Sequence, residues 1–243
     1  MKRCIINVAV GGWYPRGQQR LRYSLEEQDR KCGADLMFWD RWPPGSPAHS
    51  ELPFAFKSYA FRLAREAGYQ QILWLDAACW AVRSLQPLWS KLDRDGFVFI
   101  NNGWTMASCS SDFALEFFGY KTRDEAEKLL ELTALCMGIN LDDPRCAAWL
   151  DDFIEHCKYP RLMHGNLHNV PGQRMIDPHS GYNCGVISAD PRCLRHTREQ
   201  CVASWLAHKH GLVPYTNSPE LVLQGANPTI VAPPESCIQS CGL

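Results

Sequence analysis

Ile72-Leu73-Trp74-Leu75-Asp76 is the stretch that decides the fold. An unbroken apolar run of this length, bounded by turn signals, reads as a strand buried on both faces. The preceding segment, 55–67, carries Phe56, Tyr59 and Leu63 at helical spacing and is closed by Gly68. A helix feeding a doubly buried strand is the unit of an open α/β sheet, and such sheets bind ligands beyond the carboxyl ends of their strands. Asp76 stands at that end. A buried carboxylate needs a cationic partner, so a metal, a lysine or an arginine is expected beside it.

The same alternation extends in both directions. A strand over 3–10 runs into Gly11-Gly12 and Pro15-Arg16-Gly17, followed by a helix over 18–31 and a strand over 34–39. After Asp76 come a strand at 97–100 and a loop at 101–104. Thr122 and Glu125 form a capping-box pattern ahead of a helix over 123–137, which Gly138 can end. A helix over 144–157 follows, then a loop-like stretch at 159–181 and a strand over 182–189. Thr197 and Gln200 make a second capping box for a helix ending near Gly211, and short strands at 212–215 and 229–232 finish the chain. Strands alternating with helices predict one α/β domain over 1–243. Its core is a mostly parallel central sheet with helices on both faces and a helical insertion over about 105–160.

Composition narrows the function classes. A formal net charge of −1 gives no overall field toward nucleic acid, although Arg16, Arg20, Arg22, Arg30 and Lys31 make the N-terminal part basic. No apolar stretch is long enough to cross a bilayer. The twelve cysteines are scattered with no Cys-x-x-Cys spacing, so they read as small buried residues and a cytoplasmic location is expected. Gly11 after the first strand can let the backbone approach a nucleotide, or simply make a tight turn. Arg16 and Arg20 lie one helical turn apart, a spacing suited to phosphate. Trp13, Trp42 and Trp104 fall in loops, where they could stack on a ring.

Lys57, Gly68-Tyr69, the run ending in Asp76, and Leu85-Gln86-Pro87-Leu88 together resemble the donor-binding core of GT-A type glycosyltransferases. Tyr182-Asn183-Cys184-Gly185-Val186-Ile187 is similar to their Asn-x-Gly-Val strand, and Arg198-Glu199-Gln200 resembles the Asp-Gln element of the glycogenin-like branch. The resemblance spans residues 3–216. It implies a GT-A fold and transfer of a sugar from a nucleotide-sugar donor, expected to be a uridine diphosphate sugar, to a hydroxyl acceptor. It further implies that Asp76, Glu199 and Asp177 are the catalytic candidates. Lys57, Arg16, Arg20, Gly11, Asn183 and Gln200 become the donor-binding candidates.

The family's Asp-x-Asp pattern is broken, because Asp76 is followed by Ala77 and Ala78. A hard dication wants about six oxygen ligands, which one carboxylate does not supply. Either His179 or His208 joins Asp76 to hold Mn2+ or Mg2+, or the diphosphate is neutralised by Arg16, Arg20 or Lys57. Two rivals stand beside this reading. A glycosyltransferase acting on hydroxymethylated DNA bases would suit a soluble viral enzyme, and a non-catalytic nucleotide- or sugar-binding module would suit the broken motif.

Overall fold

The computed structural model describes residues 1–28, 33–215, 222–223 and 236–240. The chain opens with β1 (Arg3–Val8), α1 (Tyr14–Gln28), β2 (Ala34–Trp39), α2 (Phe56–Glu66) and β3 (Gln71–Leu75), as the alternation predicts. Next come β4 (Cys79–Ala81), α3 (Gln86–Asp95) and β5 (Phe97–Thr105). The middle holds α4 (Met106–Cys109), α5 (Asp112–Phe117), α6 (Arg123–Glu127), β6 (Leu130–Asn140), α7 (Pro144–His156) and α8 (Pro160–Met163). The remainder comprises β7 (Arg174–Ile176), β8 (Asn183–Val186), α9 (Glu199–Lys209), β9 (Val222–Leu223) and β10 (Ile238–Ser240).

The central sheet has the order β2-β1-β3-β6-β5. β1 pairs in parallel with β2 and β3, whereas β6 is antiparallel to both β3 and β5. Four of the five strands therefore run one way and β6 alone reverses, which makes this the mostly parallel sheet expected. Two apolar clusters sandwich it. One joins α2, α7 and α9 to the face bearing Ile6, Ile72 and Trp74; the other packs α1 and α3 against Ile5, Leu73 and Leu75. Successive side chains of a strand point to opposite faces, and every residue of β3 is buried. Its unbroken apolar run is explained by that double coverage.

Three expectations need correction. The helix over 123–137 stops at Glu127, and the chain continues as the eleven-residue strand β6. The helix starts at Thr122 as expected, and non-local pairing with β3 and β5 takes over from Leu130. Gly138 is not a helix end but a mid-strand residue, where a Cβ would lie 3.2 Å from Leu73, Leu92 and Val98 side chains. The insertion over 105–160 is consequently not all helical, because it contributes a strand to the core sheet.

The strand expected over 182–189 shortens to β8, which lies outside the central sheet and pairs only with β7 in a two-stranded hairpin. The first helix begins at Tyr14, four residues earlier than expected. Residues 212–215 contribute one bridge, Ile100 to Tyr215, and the strand expected at 229–232 lies outside the described residues. Among the described residues no helix is long and apolar enough to cross a membrane.

Candidate functional site

Three elements far apart in sequence meet beyond the carboxyl end of β3. Lys57, on the first turn of α2, sends its Nζ to Glu199 Oε1 at 2.8 Å and to Asp76 Oδ2 at 3.5 Å. It also donates to the Ala134 carbonyl at 3.2 Å. A cation in the first turn of a helix opposes the macrodipole, so α2 alone gives no reason for a lysine there. Lys57 and Glu199 are almost fully buried, while the Asp76 side chain keeps 22% of its surface exposed. Asp76 is thus the member of the trio that can reach a ligand.

The electrostatics follow from burial. Burial works against the Lys57 charge, yet the Glu199 and Asp76 carboxylates outweigh it and hold the lysine above its ordinary value. Burial pushes the Glu199 carboxyl up, and Lys57 offsets part of that rise. The trio is therefore a compact cluster of paired charges at the carboxyl end of β3. Perturbed groups of this kind are enriched at functional sites.

The turn after β3 is built tightly. Asp76 N–H donates to Leu135 O at 2.9 Å, and Cys79 N–H closes the turn on Asp76 O at 2.9 Å. α1 crosses this turn at Gly17, where a Cβ would lie 2.3 Å from the Ala77 carbonyl oxygen. Glycine is required by that approach. It brings Trp13 and Tyr14, with ring centroids 4.9 Å apart, to the same edge. Burial raises the Tyr14 phenol, and the Asp76 charge raises it further.

The other candidates divide. Gln200 accepts from Ala134 N–H at 2.9 Å, so it and Lys57 grip the two backbone groups of one β6 residue next to the trio. Gly11 is exposed with φ 71°, and Arg16 is exposed on the first turn of α1. Arg20 lies against the turn that follows Asp76, donating to Ala78 O at 2.9 Å and stacking on Trp80 at 4.1 Å. Asn183 is exposed on the hairpin and accepts from Gly185 N–H.

Asp177 is fully buried and receives four donors: Arg198 Nε, Gly165 N–H, His179 N–H and Ser180 N–H. Burial opposes its ionisation, but these donors prevail and hold it down at about 2.

The residues do not fit a bound dication. The inward oxygen of Asp76 already faces the Lys57 ammonium. His179 packs edge-on against His49 and Phe54, with centroids 4.7 and 5.1 Å away, and His208 Nε2 is hydrogen-bonded to Leu130 O at 2.8 Å. Among the described residues no three His, Cys, Asp or Glu side chains are grouped to hold a metal ion. Two cavities flank the 105–198 region, one under Phe113, His164 and Tyr182 and one under Tyr120 and Arg192, and neither is lined by the trio.

Sequence reasoning passed over Tyr14, Phe54 and Glu131. Glu131 is wholly buried, bonded to Thr197 Oγ1 and to Asn102 Nδ2, and raised by burial. A charged residue inside the mostly apolar run 129–139 was the available signal for Glu131.

No family model matches the sequence, and no curated protein sequence matches it. Among solved structures, the chain is similar to the apo form of the bifunctional glycosyltransferase WbbM, with a TM-score of 0.55 and 9% identity. That match covers 98% of this chain and 45% of the other, so this chain spans less than half of that protein. It is also similar to apo mouse xyloside xylosyltransferase 1 (TM-score 0.48, 10% identity, 93% and 89% coverage). A third is a glycosyltransferase involved in glycosylating the major capsid of PBCV-1 (TM-score 0.46, 11% identity, 99% and 94% coverage). At 9% identity the likeness to WbbM shows the fold alone, a mixed α/β fold of the GT-A kind.

Proposed function

We propose that the chain is a glycosyltransferase that takes a sugar from a nucleotide-sugar donor, a uridine diphosphate sugar being the expected class, and passes it to a hydroxyl acceptor. The observation that carries this reading is the Lys57 ammonium held between Asp76 and Glu199, from three separate elements, at the ligand-binding edge of the sheet.

In this reading the partly exposed Asp76 accepts hydrogen bonds from donor hydroxyls, with Tyr14 beside it. The buried Glu199 stands behind Asp76 with Gln200 next to it, and Lys57 fixes the two carboxylates in register. The glycosidic bond breaks with negative charge building on the departing diphosphate, and a preorganised positive environment does most to stabilise that charge. Arg16 stands exposed in the first turn of α1, where there is no acidic residue and the positive end of the helix dipole favours an anion. Gly11 leaves room for the pyrophosphate to approach. The donor set argues that these protein groups neutralise the diphosphate and that transfer is metal-independent.

Thermal stabilisation by a panel of nucleoside diphosphates and their sugars tests donor binding, since a ligand of the folded state raises Tm. Donor turnover should persist in excess chelator and vanish in Asp76→Asn. Donor binding without turnover would mark a sugar-binding module instead. Salt-dependent binding of hydroxymethylated DNA, absent with plain hydroxyl acceptors, would shift the acceptor to nucleic acid.

A further inference from the structure

We infer that Arg198 is a positioning residue, locked by Asp177, that aims Glu199 at Lys57; the inference rests on the transferase reading above. Arg198 and Phe54 are the two non-glycine residues with positive φ among those described, at 60° and 63°. Each sits beside one half of the buried ion pair. Arg198 immediately precedes Glu199, and Phe54 O accepts from Lys57 N–H at 3.1 Å. The two also touch, with the Arg198 guanidinium 5.4 Å from the Phe54 ring centroid. Backbone strain of this kind persists only where the surroundings over-determine it, and it gathers at functional sites.

The over-determination is visible. Arg198 is the N-cap of α9, yet it makes no side-chain cap. Thr197, whose hydroxyl the sequence offers as the cap, is instead tied to Cys109 O and Glu131. Arg198 Nε reaches Asp177 Oδ2 at 2.9 Å and Nη2 reaches Gly165 O at 2.9 Å, with both ionic groups almost completely buried. The chain is clamped on either side of the left-handed residue, so α9 can start in one direction only. A planar fork is needed to satisfy two acceptors at once, which a lysine ammonium does not reproduce. A buried pair is a poor source of net stability and a better means of enforcing one geometry.

Arg198→Lys keeps the charge and loses the fork, while Arg198→Gly removes the side chain and suits the positive φ, so at least one variant should fold. Catalytic positioning is sensitive, and a misplacement near 1 Å costs about 100-fold. Both variants should therefore lose about 100-fold in kcat while donor KM stays within about threefold. The 15N signal of the Lys57 ammonium, assigned by its absence in Lys57→Arg, should broaden or vanish in both, because Glu199 no longer holds it. Wild-type kcat in both variants, or an unchanged Lys57 signal, would overturn the proposal. A rise in KM with kcat intact would also overturn it, by making Arg198 a donor contact. If the wild-type protein turns over no donor, the transferase reading fails, and the Lys57 signal still decides whether Arg198 orders the pair.

Discussion

Residues 1–100 and residues 101–204 are held together by different physics. Among the described residues, the first stretch buries only four polar side chains, Asn7, Lys57, Ser58 and Gln71, and the second buries fourteen. In the first, strands and helices alternate over a sheet whose central strands β1 and β3 are mostly apolar, and Lys57 is its only buried charged residue among those described. In the second, short helices are tied down by buried polar groups. Arg123 bonds the Ala107 and Ser110 carbonyls and Asp112, Arg198 bonds Asp177, and His196 bridges Leu162 O and Ser111 N–H. Hydrophobic burial is non-directional, whereas a buried polar group must find a particular partner. The first half is a scaffold, the second half is a set of directed contacts, and the trio of Lys57, Asp76 and Glu199 is where they join.

The largest effect should come from cutting that join. Lys57→Met leaves Glu199 buried without its cation, and removing one partner of a buried pair typically costs 3–5 kcal/mol. Urea unfolding should show a loss of about that size, and donor turnover should fall to background. A stable Lys57→Met protein with normal activity would show that the two halves are joined by packing alone.

That division also explains what the sequence disclosed. β1 through β3 are legible because their hydrophobic runs are dictated by burial, and Lys57, Asp76, Glu199 and Gln200 stand out from motif order alone. β6 is not legible. Thr122 and Glu125 mark a true helix start, but α6 ends at Glu127, and nothing local says that Leu130 onward will be recruited between β3 and β5. The hairpin strand β8 misleads for the opposite reason. Asn183-Cys184-Gly185-Val186 carries a strand pattern, but its partner is β7, so Asn183 stands on an exposed hairpin. The left-handed Arg198 has no sequence signature at all, since φ is set there by Asp177 and Gly165.

The next effect is acid lability, carried in the polar half by His196, although burial also holds His49 of the first half down at about 4. Burial holds His196 down at about 4, against an ordinary value of 6.5. The fold keeps this ring neutral, so its contribution is intact above pH 6.5 and is lost as pH falls toward 4, where the unfolded chain binds the extra proton first. The loss is on the order of 3 kcal/mol. Asp177 adds a smaller loss at lower pH, since its carboxyl, held at about 2, gives stability that disappears as pH drops from about 4 to 2. Unfolding free energies measured from pH 7 to pH 4 should fall steeply for the wild type and more gently for His196→Gln. Equal slopes would assign the acid response to other histidines held down by burial, His49 among them.

Gly17→Ala probes the scaffold where it touches the site. The new methyl would meet the Ala77 carbonyl at 2.3 Å, and a carbonyl in a closed turn cannot swing aside like a side-chain tip. Overpacking of this kind costs about 1–3 kcal/mol. Because α1 would be pushed off the Asp76 turn, donor binding should weaken along with Tm. A Tm loss with unchanged donor affinity would detach α1 from the site.

Gly138→Ala is the smallest change and the finest discriminator. It sits in the reversed strand β6 with an ordinary negative-side backbone, so alanine is not strained there, and replacing glycine lowers the entropy of the unfolded chain by an amount worth about 0.4–1 kcal/mol. Against that, a methyl would touch Leu73 Cδ1, Leu92 Cδ2 and Val98 Cβ at 3.2 Å. Two of those atoms are ends of leucine side chains that can give by a few tenths of an ångström; Val98 Cβ is fixed to a strand. The two effects nearly cancel, and the net change should lie within about 1 kcal/mol in a urea midpoint, with turnover unaffected. A destabilisation of several kcal/mol would mean that the apolar half is as exacting as the polar one, and that the contrast between them lies in chemistry but not in tolerance.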